Sequence, residues 1–169
     1  MVTREKSKDT SKVSIITLTK DIMLENYDRI KELLDLIPGR KWSRKEIIAD
    51  RPMKWDYSLL AMDKDKIIGV RLISKKGNTR HHHLTSIDEL YRRSGVAGKM
   101  TYRSAGMAMK LGESIMTVKV EEGNDMSLNF HLKLGFTVYG EELNEEEGVK
   151  YILLRGKPEK ILDKLNEIK

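Results

Sequence analysis

The chain has 169 residues and no cysteine, so its length suits one domain, and disulfide bonds, thiolate nucleophiles and cysteine-bound metals are excluded. Lysine and arginine (32) outnumber aspartate and glutamate (26), and the net charge of +6 indicates an anionic partner. Because the basic residues are spread along the chain and aromatic residues make up 6% of it, a small anionic ligand is favoured over nucleic acid. The sequence has no run of about eighteen apolar residues and no export signal, which predicts a cytoplasmic protein without a membrane partner.

The N-terminal part of the chain predicts an arm, a strand and a helix. Residues 1–12 carry charges but no apolar stretch, and we expect them to form a flexible arm. Residues of Val13–Thr19 alternate and are rich in β-branched side chains, which predicts a strand. Apolar residues recur at helical spacing over residues 21–37, which predicts a helix with Asp21 as its N-cap. A Pro-Gly pair then ends this helix.

The middle of the chain predicts a short helix followed by three neighbouring strands. Ser43 and Glu46 have the spacing of a capping box, which indicates that the short helix begins there. Tyr57–Met62 and Lys66–Ser74 are strand-like and are joined by a polar turn. Thr79–Asp88 is the third run. These strands precede a glycine-containing turn and are expected to pair as hairpins.

The second half of the chain alternates between helical and strand patterns. We expect a helix over residues 96–111, a strand over 114–121, a helix over 124–134, a closing hairpin from 136–139 and 149–154, and a helix or tail over 157–169. Hairpins followed by strand–helix units predict one domain of the α/β (α+β) class, in which helices flank a mixed, mostly antiparallel sheet of about seven strands.

A phosphate-binding turn is the most informative local feature. The end of a predicted strand leads through Arg92-x-x-Gly95-x-Ala97 directly into a helix, and Gly98 and Lys99 follow at once. Small residues let a backbone approach a ligand closely, and the first turn of a helix offers unpaired N–H groups with positive partial charge. The pattern therefore indicates a site for a phosphate or pyrophosphate group.

Two common nucleotide motifs are absent from this turn. A P-loop would need glycine where Arg93 stands and a hydroxyl residue where Met100 stands. A Gly-x-Gly-x-x-Gly dinucleotide fingerprint is also missing. Binding of ATP or NAD therefore loses its best sequence support.

Two segments together resemble the GNAT superfamily of N-acetyltransferases. Ile87–Ala97 resembles the end of the fourth strand and the acyl-CoA loop of that family, whose pattern is Arg/Gln-x-x-Gly-x-Gly/Ala. Asn124–Phe136 resembles the second signature, in which an asparagine begins an aromatic-containing helix that ends Lys-Leu-Gly-Phe. The resemblance covers residues 13–155, which it implies to be the N-acetyltransferase domain, and leaves 156–169 as a C-terminal helix or tail.

The resemblance implies that the sheet splays between its fourth and fifth strands and holds acetyl-CoA, the acyl donor, in the gap without a metal. Backbone groups near Ser86 would pair with the pantetheine arm, and N–H groups of residues 93–98 would hold the pyrophosphate. The coenzyme-binding residues implied in this way are Ser86, Ile87, Arg92, Arg93, Ser94, Gly95, Val96, Ala97, Gly98, Lys99 and Asn124.

Three consecutive histidines offer a candidate base. Because strand residues alternate between faces, His81 and His83 are expected on one face, and they resemble the two-histidine strand of the serotonin N-acetyltransferases in this family. An imidazole can receive, through water, the proton that a primary ammonium must lose before it attacks. We therefore expect His83, with His81 behind it, to act as the base. The alternative is a solvent-facing cluster; zinc binding is disfavoured because no cysteine supports it.

The fourth histidine and a lysine depart from the family pattern. His131 stands where the family usually has a tyrosine that protonates the thiolate of coenzyme A, so the resemblance implies a catalytic acid, or otherwise a helix residue packed beside Phe130. Lys119 occupies a position at which some members carry a carboxylate, so a carboxylate base is disfavoured and the histidines are favoured as the base.

Together these features predict an enzyme that moves the acetyl group of acetyl-CoA to a primary amine by direct attack on the thioester. Five glutamates in residues 141–148 are most simply a solvated loop, but in this family that hairpin borders the acceptor site, so a cationic acceptor is also expected. The alternatives are an acyl-CoA-binding or regulatory module with little catalysis and, less favoured, a nucleic-acid-binding domain. A homodimer is a further expectation, since two-fold dimers are the commonest symmetric assemblies.

Overall fold

The computed structural model describes residues 9–39 and 41–168. Its strands are β1 Val13–Thr17, β2 Leu59–Asp63, β3 Lys66–Lys76, β4 Thr79–Ile87, β5 Ile115–Glu121, β6 Thr137–Asn144 and β7 Val149–Gly156. Its α-helices are α1 Lys20–Glu25, α2 Tyr27–Leu34, α3 Arg44–Ile48, α4 Lys54–Tyr57, α5 Val96–Lys110, α6 Asp125–Lys133 and α7 Pro158–Ile168. A short 3₁₀ turn, Glu89–Tyr91, joins β4 to the loop before α5.

The seven strands form one sheet in the order β1-β2-β3-β4-β5-β7-β6. Neighbouring strands are antiparallel except β4 and β5, which are parallel and are connected through α5. A parallel pair needs such a long crossover, whereas the antiparallel pairs β2–β3, β3–β4 and β6–β7 are joined by short turns. The predicted mixed, mostly antiparallel sheet flanked by helices is confirmed.

The sheet opens between its two parallel strands. β4 pairs with β5 only from Thr79 to His82, opposite Ile115–Val118. The rest of β4, from Leu84 to Ile87, continues to pair with β3 on its other side. The carboxyl ends of β4 and β5 therefore diverge, as the predicted splay requires, and a cleft opens between them.

A β-bulge sits where this divergence begins. In the β3–β4 pairing, Leu72 faces Leu84 and the next residue, Ile73, faces His82, so His83 is the extra residue on β4. A bulge re-aims a side chain and increases the local twist. The rings of His81 and His83 still lie on the same side, with centroids 4.6 Å apart.

Apolar residues cover both faces of the sheet. On one face, α2 and α3 pack on β2 and β3 through a cluster that includes Ile30, Leu33, Ile47 and Leu72. On the other face, α5, α6 and α7 pack on β5 and β7 through a cluster that contains Ala105, Ala108, Val118, Phe136, Leu154, Ile161 and Leu165. The predicted C-terminal helix is thus a packed helix, because its apolar side completes this core.

A buried ion pair fixes the first half of β4. Arg80 donates from Nε and Nη2 to the two carboxylate oxygens of Glu113 at 3.1 and 2.7 Å. The guanidinium also lies 3.7 Å from the ring centroid of Tyr57. Such a fully buried charge stays in place because its opposite charge and an aromatic face replace water.

Several predicted boundaries were wrong. The first helix begins after Thr19, not Asp21, because the Thr19 hydroxyl accepts from the Ile22 N–H. That helix is then interrupted at Asn26, whose backbone is not helical and whose side-chain amide donates to the Ile22 carbonyl. The helix α4 was not predicted, and its last residue, Tyr57, was expected to begin a strand.

The N-terminal arm predicted for residues 1–12 lies mostly outside the described residues. Its last residues contact the loop before α5: the Thr10 hydroxyl donates to the Ser94 carbonyl at 3.1 Å, and Lys99 Nζ donates to the Thr10 carbonyl at 2.5 Å. Among residues 9–39 and 41–168, no helix combines the length and apolar character that crossing a bilayer would require.

Candidate active site

The larger of two adjoining cavities, about 480 Å³, follows the diverging end of β4. Its walls are the end of β4, the loop and first turn of α5, and one side of α6. We call it the donor cleft. Nine of the eleven residues expected to bind coenzyme A line it: Ser86, Ile87, Arg92, Arg93, Gly95, Val96, Ala97, Gly98 and Asn124.

The start of α5 has the geometry expected of a phosphate cradle. Gly95 is the N-cap in a left-handed conformation (φ +89°), which only glycine adopts without strain, and it has no side chain that could cap the helix. The first intrahelical bond of the turn is made by the Lys99 N–H to the Gly95 carbonyl. The N–H groups of the first turn therefore point into the cleft without an intrahelical partner. No acidic side chain occupies this turn, so an anion meets only positive partial charge there.

Two of the expected coenzyme residues lie away from the cleft lining. The Ser94 hydroxyl donates to the Tyr91 carbonyl, and the Lys99 ammonium is bound to Thr10, as described above. Both residues hold the loop rather than face the cavity. The Ser86 hydroxyl likewise donates to the Leu33 carbonyl, which leaves its backbone to face the cleft.

Asn124 acts as the N-cap of α6. Its side-chain oxygen accepts from the Ser127 N–H at 3.3 Å, and the residue also borders the cleft. Its position is therefore compatible both with capping α6 and with the coenzyme contact that the resemblance implies.

An arginine that the sequence did not single out lies beneath the donor cleft. Arg71 on β3 is 1% exposed, and Nε donates to Thr85 Oγ1 at 3.0 Å while Nη1 donates to Thr101 Oγ1 at 2.7 Å. Nη2 reaches the Ala97 carbonyl at 3.5 Å. Burial alone lowers the pKa of Arg71 to about 10, so the group is a cation at neutral pH. An arginine within an apolar strand pattern was the only signal available in the sequence.

The second cavity, about 400 Å³, lies on the side of β4 and β5 that carries Trp42. We call it the acceptor cavity. Ionisable side chains dominate its lining: Glu46, Arg51, Lys76, His81, His83, Lys119, Glu121, Glu142 and Glu147. A cavity with so many titratable groups can bind and deprotonate a polar substrate.

The histidines of β4 face different partners. His81 Nδ1 lies 2.7 Å from Thr117 Oγ1, and His83 Nε2 lies 2.5 Å from Ser74 Oγ. His82 points to the opposite face of the sheet, where its Nε2 lies 2.9 Å from Ser104 Oγ on α5. The structure thus brings the rings of His81 and His83 together in the acceptor cavity, whereas His82 also borders that cavity but directs its ring toward α5.

All three imidazoles are held neutral. Burial lowers the pKa of His81 to about 3, and Lys76, Lys119 and Arg51 add to the shift. Burial, followed by His81 and Arg51, lowers the pKa of His83 to about 2. The pKa of His82 is also well below its ordinary value because the ring is buried. At neutral pH each ring is therefore uncharged, with one nitrogen that can accept a hydrogen bond, and the burial that keeps it neutral also makes it a weak base.

His131 on α6 is also neutral and its tautomer is defined. Nδ1 lies 2.7 Å from the Ser127 carbonyl, which can only accept, so Nδ1 carries the hydrogen and Nε2 carries a lone pair. Burial lowers the pKa of His131 to about 4. Its ring packs edge-on against Phe130 and Phe136, with centroids 5.2 Å away in each case. In this state the ring offers an acceptor, not a donor, to the cleft.

The two cavities meet. Six residues line both of them: Ile37, Pro38, Thr85, Asn124, Ser127 and His131. We call this place the junction. A donor lying in one cavity and a nucleophile in the other would meet there, which is the arrangement that direct transfer between two substrates needs.

The acidic residues 141–148 are divided between a strand and a turn: Glu141 and Glu142 lie on β6, which extends to Asn144, whereas Glu145, Glu146 and Glu147 lie in the exposed turn before β7. Glu142 borders the acceptor cavity and its carboxylate pairs with Lys119 at 2.7 Å, while Glu141 pairs with Lys150 at 3.0 Å. The local charge near the cavity is therefore mixed. Among the residues that the structure describes, no group of three or more histidine, aspartate or glutamate side chains is arranged to hold a metal ion.

Comparison with known proteins gives consistent results. The model of the acetyltransferase (GNAT) family matches residues 27–136. N-alpha-acetyltransferase 30 of Schizosaccharomyces pombe is 27% identical over 143 residues, which cover 76% of this chain and 93% of that protein.

Solved structures show the same fold at lower identity. Arabidopsis thaliana Naa50, in complex with the bisubstrate analogue CoA-Ac-MVNAL, has a TM-score of 0.68 at 17% identity, with 86% of this chain and 99% of that one covered. The ribosomal-protein-S18-alanine N-acetyltransferase of Escherichia coli has a TM-score of 0.73 at 12% identity, covering 86% and 93%. Since the family model spans more than half of the residues, the chain belongs to the GNAT family, as an N-acetyltransferase that uses acetyl-CoA.

Proposed function

We propose that the acceptor is the α-amine at the N-terminus of a polypeptide. The observation that carries the proposal is the environment of His81 and His83 in the acceptor cavity: burial first, and then nearby cations, keep both rings neutral although four carboxylates also line the cavity. A site that keeps imidazole neutral also disfavours an ammonium ion. An α-amine, with an ordinary pKa near 8, loses its proton there far more readily than a lysine side chain near 10.4.

Relatives support this choice of acceptor. One is named an N-alpha-acetyltransferase, and Naa50 was crystallised with an analogue that joins CoA to a peptide. The mixed charges of Glu121, Glu142 and Lys119 at the cavity also suit a peptide backbone with alternating polar groups.

The proposed mechanism is direct attack at the junction. Acetyl-CoA supplies the activated acetyl group, and the residues of the donor cleft hold its pyrophosphate at the start of α5 and its pantetheine arm along Ser86 and Ile87. His83, with His81 behind it, relays the proton of the amine through water to solvent, because rings with such lowered pKa values do not retain it, and the lone pair is then free to attack the thioester carbonyl. His131 has its lone pair at Nε2 and serves as an acid only when it is protonated.

A peptide panel tests the acceptor class. Matched peptides with a free N-terminus, the same peptides with a blocked N-terminus and an internal lysine, and a polyamine are incubated with acetyl-CoA, and free thiol is measured. Because the chain has no cysteine, every thiol that appears comes from coenzyme A. We expect release with the free N-termini only, and mass spectrometry should place the acetyl group on the α-nitrogen. Release with blocked peptides or the polyamine alone would contradict the proposal.

A further inference from the structure

A buried cation without a carboxylate partner lies under the junction. Arg71 makes its hydrogen bonds to two hydroxyls, Thr85 and Thr101, and to the carbonyl of Ala97, and no carboxylate of the described residues is among these partners. Burying an uncompensated charge costs stability. Arg80, the other fully buried arginine, is by contrast paired with Glu113. The positive charge of Arg71 is therefore available to interact with an anionic group of a ligand in the donor cleft.

Thr85 connects this cation to the place where the substrates meet. It lies directly opposite Arg71 in the β3–β4 pairing and borders both cavities. Its Oγ1 accepts from Arg71 Nε, and no described partner receives its hydroxyl hydrogen. Since one lone pair is occupied by the guanidinium, the O–H is polarised and free to donate into the junction.

We infer that Thr85 donates a hydrogen bond to the sulfur of the departing coenzyme A, and that Arg71 is the positioning residue that orients this hydroxyl and stabilises the thiolate charge. The inference rests on the proposed meeting of thioester and amine at the junction. In the transfer step a carbon–nitrogen bond forms, the carbon–sulfur bond breaks, and its electron pair stays on sulfur. The ammonium proton leaves through His83 and water before the attack, the nitrogen loses its second proton to solvent as the amide forms, and the thiolate takes a proton from solvent after release.

This arrangement removes the need for a proton donor at His131. The Thr85 hydroxyl is far too weak an acid to give up its proton, so it stabilises the thiolate by a charge-assisted hydrogen bond. His131 in its described tautomer presents a lone pair instead. Stabilising charge where it develops is the usual way in which fixed donors accelerate acyl transfer.

Binding measurements across pH test the inference without any acceptor or turnover. The affinity of coenzyme A is compared with that of desulfo-coenzyme A, which lacks the thiol, by calorimetry from neutral to alkaline pH. A cation within about 6 Å lowers the pKa of a thiol by about one unit or more, so the affinity ratio should rise about tenfold as the bound thiol ionises before the free one. Titration of other groups in the protein affects both ligands equally and cancels.

Variants then assign the effect. Thr85→Val keeps the shape and β-branching of the side chain but removes the hydroxyl donor, so it should reduce the rise in the affinity ratio to the part that the charge of Arg71 supplies, whereas Thr85→Ser should retain the full rise. Arg71→Met should abolish the rise, and Arg71→Lys should keep part of it. Thr101→Val is the matched control, since Thr101 contacts the same guanidinium but borders neither cavity. Its ratio of affinities for coenzyme A and desulfo-coenzyme A should rise with pH as in the unmodified protein.

A flat ratio in the unmodified protein, or an unchanged rise in Thr85→Val, would overturn the inference. In turnover, Thr85→Val should reduce kcat about tenfold to a hundredfold while the KM for acetyl-CoA stays within about twofold. If Arg71→Met fails to fold, the Thr85 pair alone decides. Failure of the peptide panel would leave the binding result intact, so the two proposals fail separately.

Discussion

The donor cleft and the acceptor cavity adjoin but are built differently. The donor cleft is formed by consecutive backbone around Arg92–Gly98, with one buried cation, Arg71, beneath it. The acceptor cavity gathers side chains from separate segments, among them Trp42, His81, Lys119 and Glu142. A contiguous backbone cradle recognises one fixed ligand, whereas dispersed side chains can vary one by one. The difference explains why the donor is readable from a short motif and the acceptor is not.

The largest effect is expected from variants of the acceptor cavity, which should impair catalysis without weakening coenzyme A binding. Replacing His81 and His83 together by glutamine removes the proposed base and should lower kcat about 10²- to 10³-fold, while the affinity for coenzyme A stays within twofold. His82→Gln is the matched control, because this ring lies on the other face and contacts Ser104. An unaltered pH–rate profile in the double variant, or an equal loss of coenzyme affinity, would contradict the separation of roles.

Acid should destabilise the protein through histidines on both sides. The folded-state pKa of His81 is about 3 and that of His131 about 4, below the ordinary value of 6.5, so on acidification the unfolded chain takes up protons first. Stability is fully present above about pH 6.5 and is lost as the pH falls. Between pH 7 and pH 5 each of these two groups contributes a loss of about 2 kcal/mol, so we expect the free energy of unfolding to drop by about 4 kcal/mol.

Denaturant titrations of His81→Gln and His131→Gln at both pH values sharpen the comparison. Each variant should lose less stability on acidification than the unmodified protein. If only one variant loses less stability, the histidine replaced in the other variant is hydrated in the folded protein, and the two regions are not equally buried.

A smaller effect should be confined to the donor side. Gly95→Ala forces a side chain into the left-handed conformation at the start of α5, which costs about 1 to 2 kcal/mol and displaces the cradle N–H groups. We expect the Kd for coenzyme A to rise about tenfold while the KM for a peptide acceptor stays constant. Gly148→Ala is the control, since Gly148 also has a positive φ but lies in the β6–β7 turn. Equal losses in both variants would show a stability effect only.

The smallest effect concerns the acidic hairpin. Glu142→Gln removes a carboxylate at the acceptor cavity and leaves Lys119 without this salt bridge. The KM for a peptide with basic side chains should therefore rise about two- to fivefold, whereas the KM for a peptide with uncharged side chains should change little. Glu159→Gln, on the first turn of α7, serves as a control on distant charge. A constant KM for both acceptors would remove this residue from acceptor recognition.

Local patterns predicted most of the fold. The seven strands and their mixed pairing followed from alternating apolar residues and turn signals, and the cradle at Gly95 followed from its spacing and glycine content. Boundaries failed where a side chain competed with the backbone: Thr19 replaced Asp21 as cap, and Asn26 interrupted a helix by bonding to Ile22. The length of β6 was missed because its glutamates are paired with lysines on β5 and β7, which the sequence does not reveal.

The sequence by itself indicated the donor, because the Arg92–Lys99 turn has the local features of a phosphate site and the contiguous segments Ile87–Ala97 and Asn124–Phe136 resemble the two signatures of a family that uses acetyl-CoA. Only the tertiary structure decided which side chains meet. It directed the ring of His82 away from those of His81 and His83, fixed the tautomer of His131, and brought Arg71 of the donor cleft beside Thr85 of the junction across the β3–β4 pairing. Strand register and burial set these contacts and the lowered pKa values, and both depend on residues far apart in the chain.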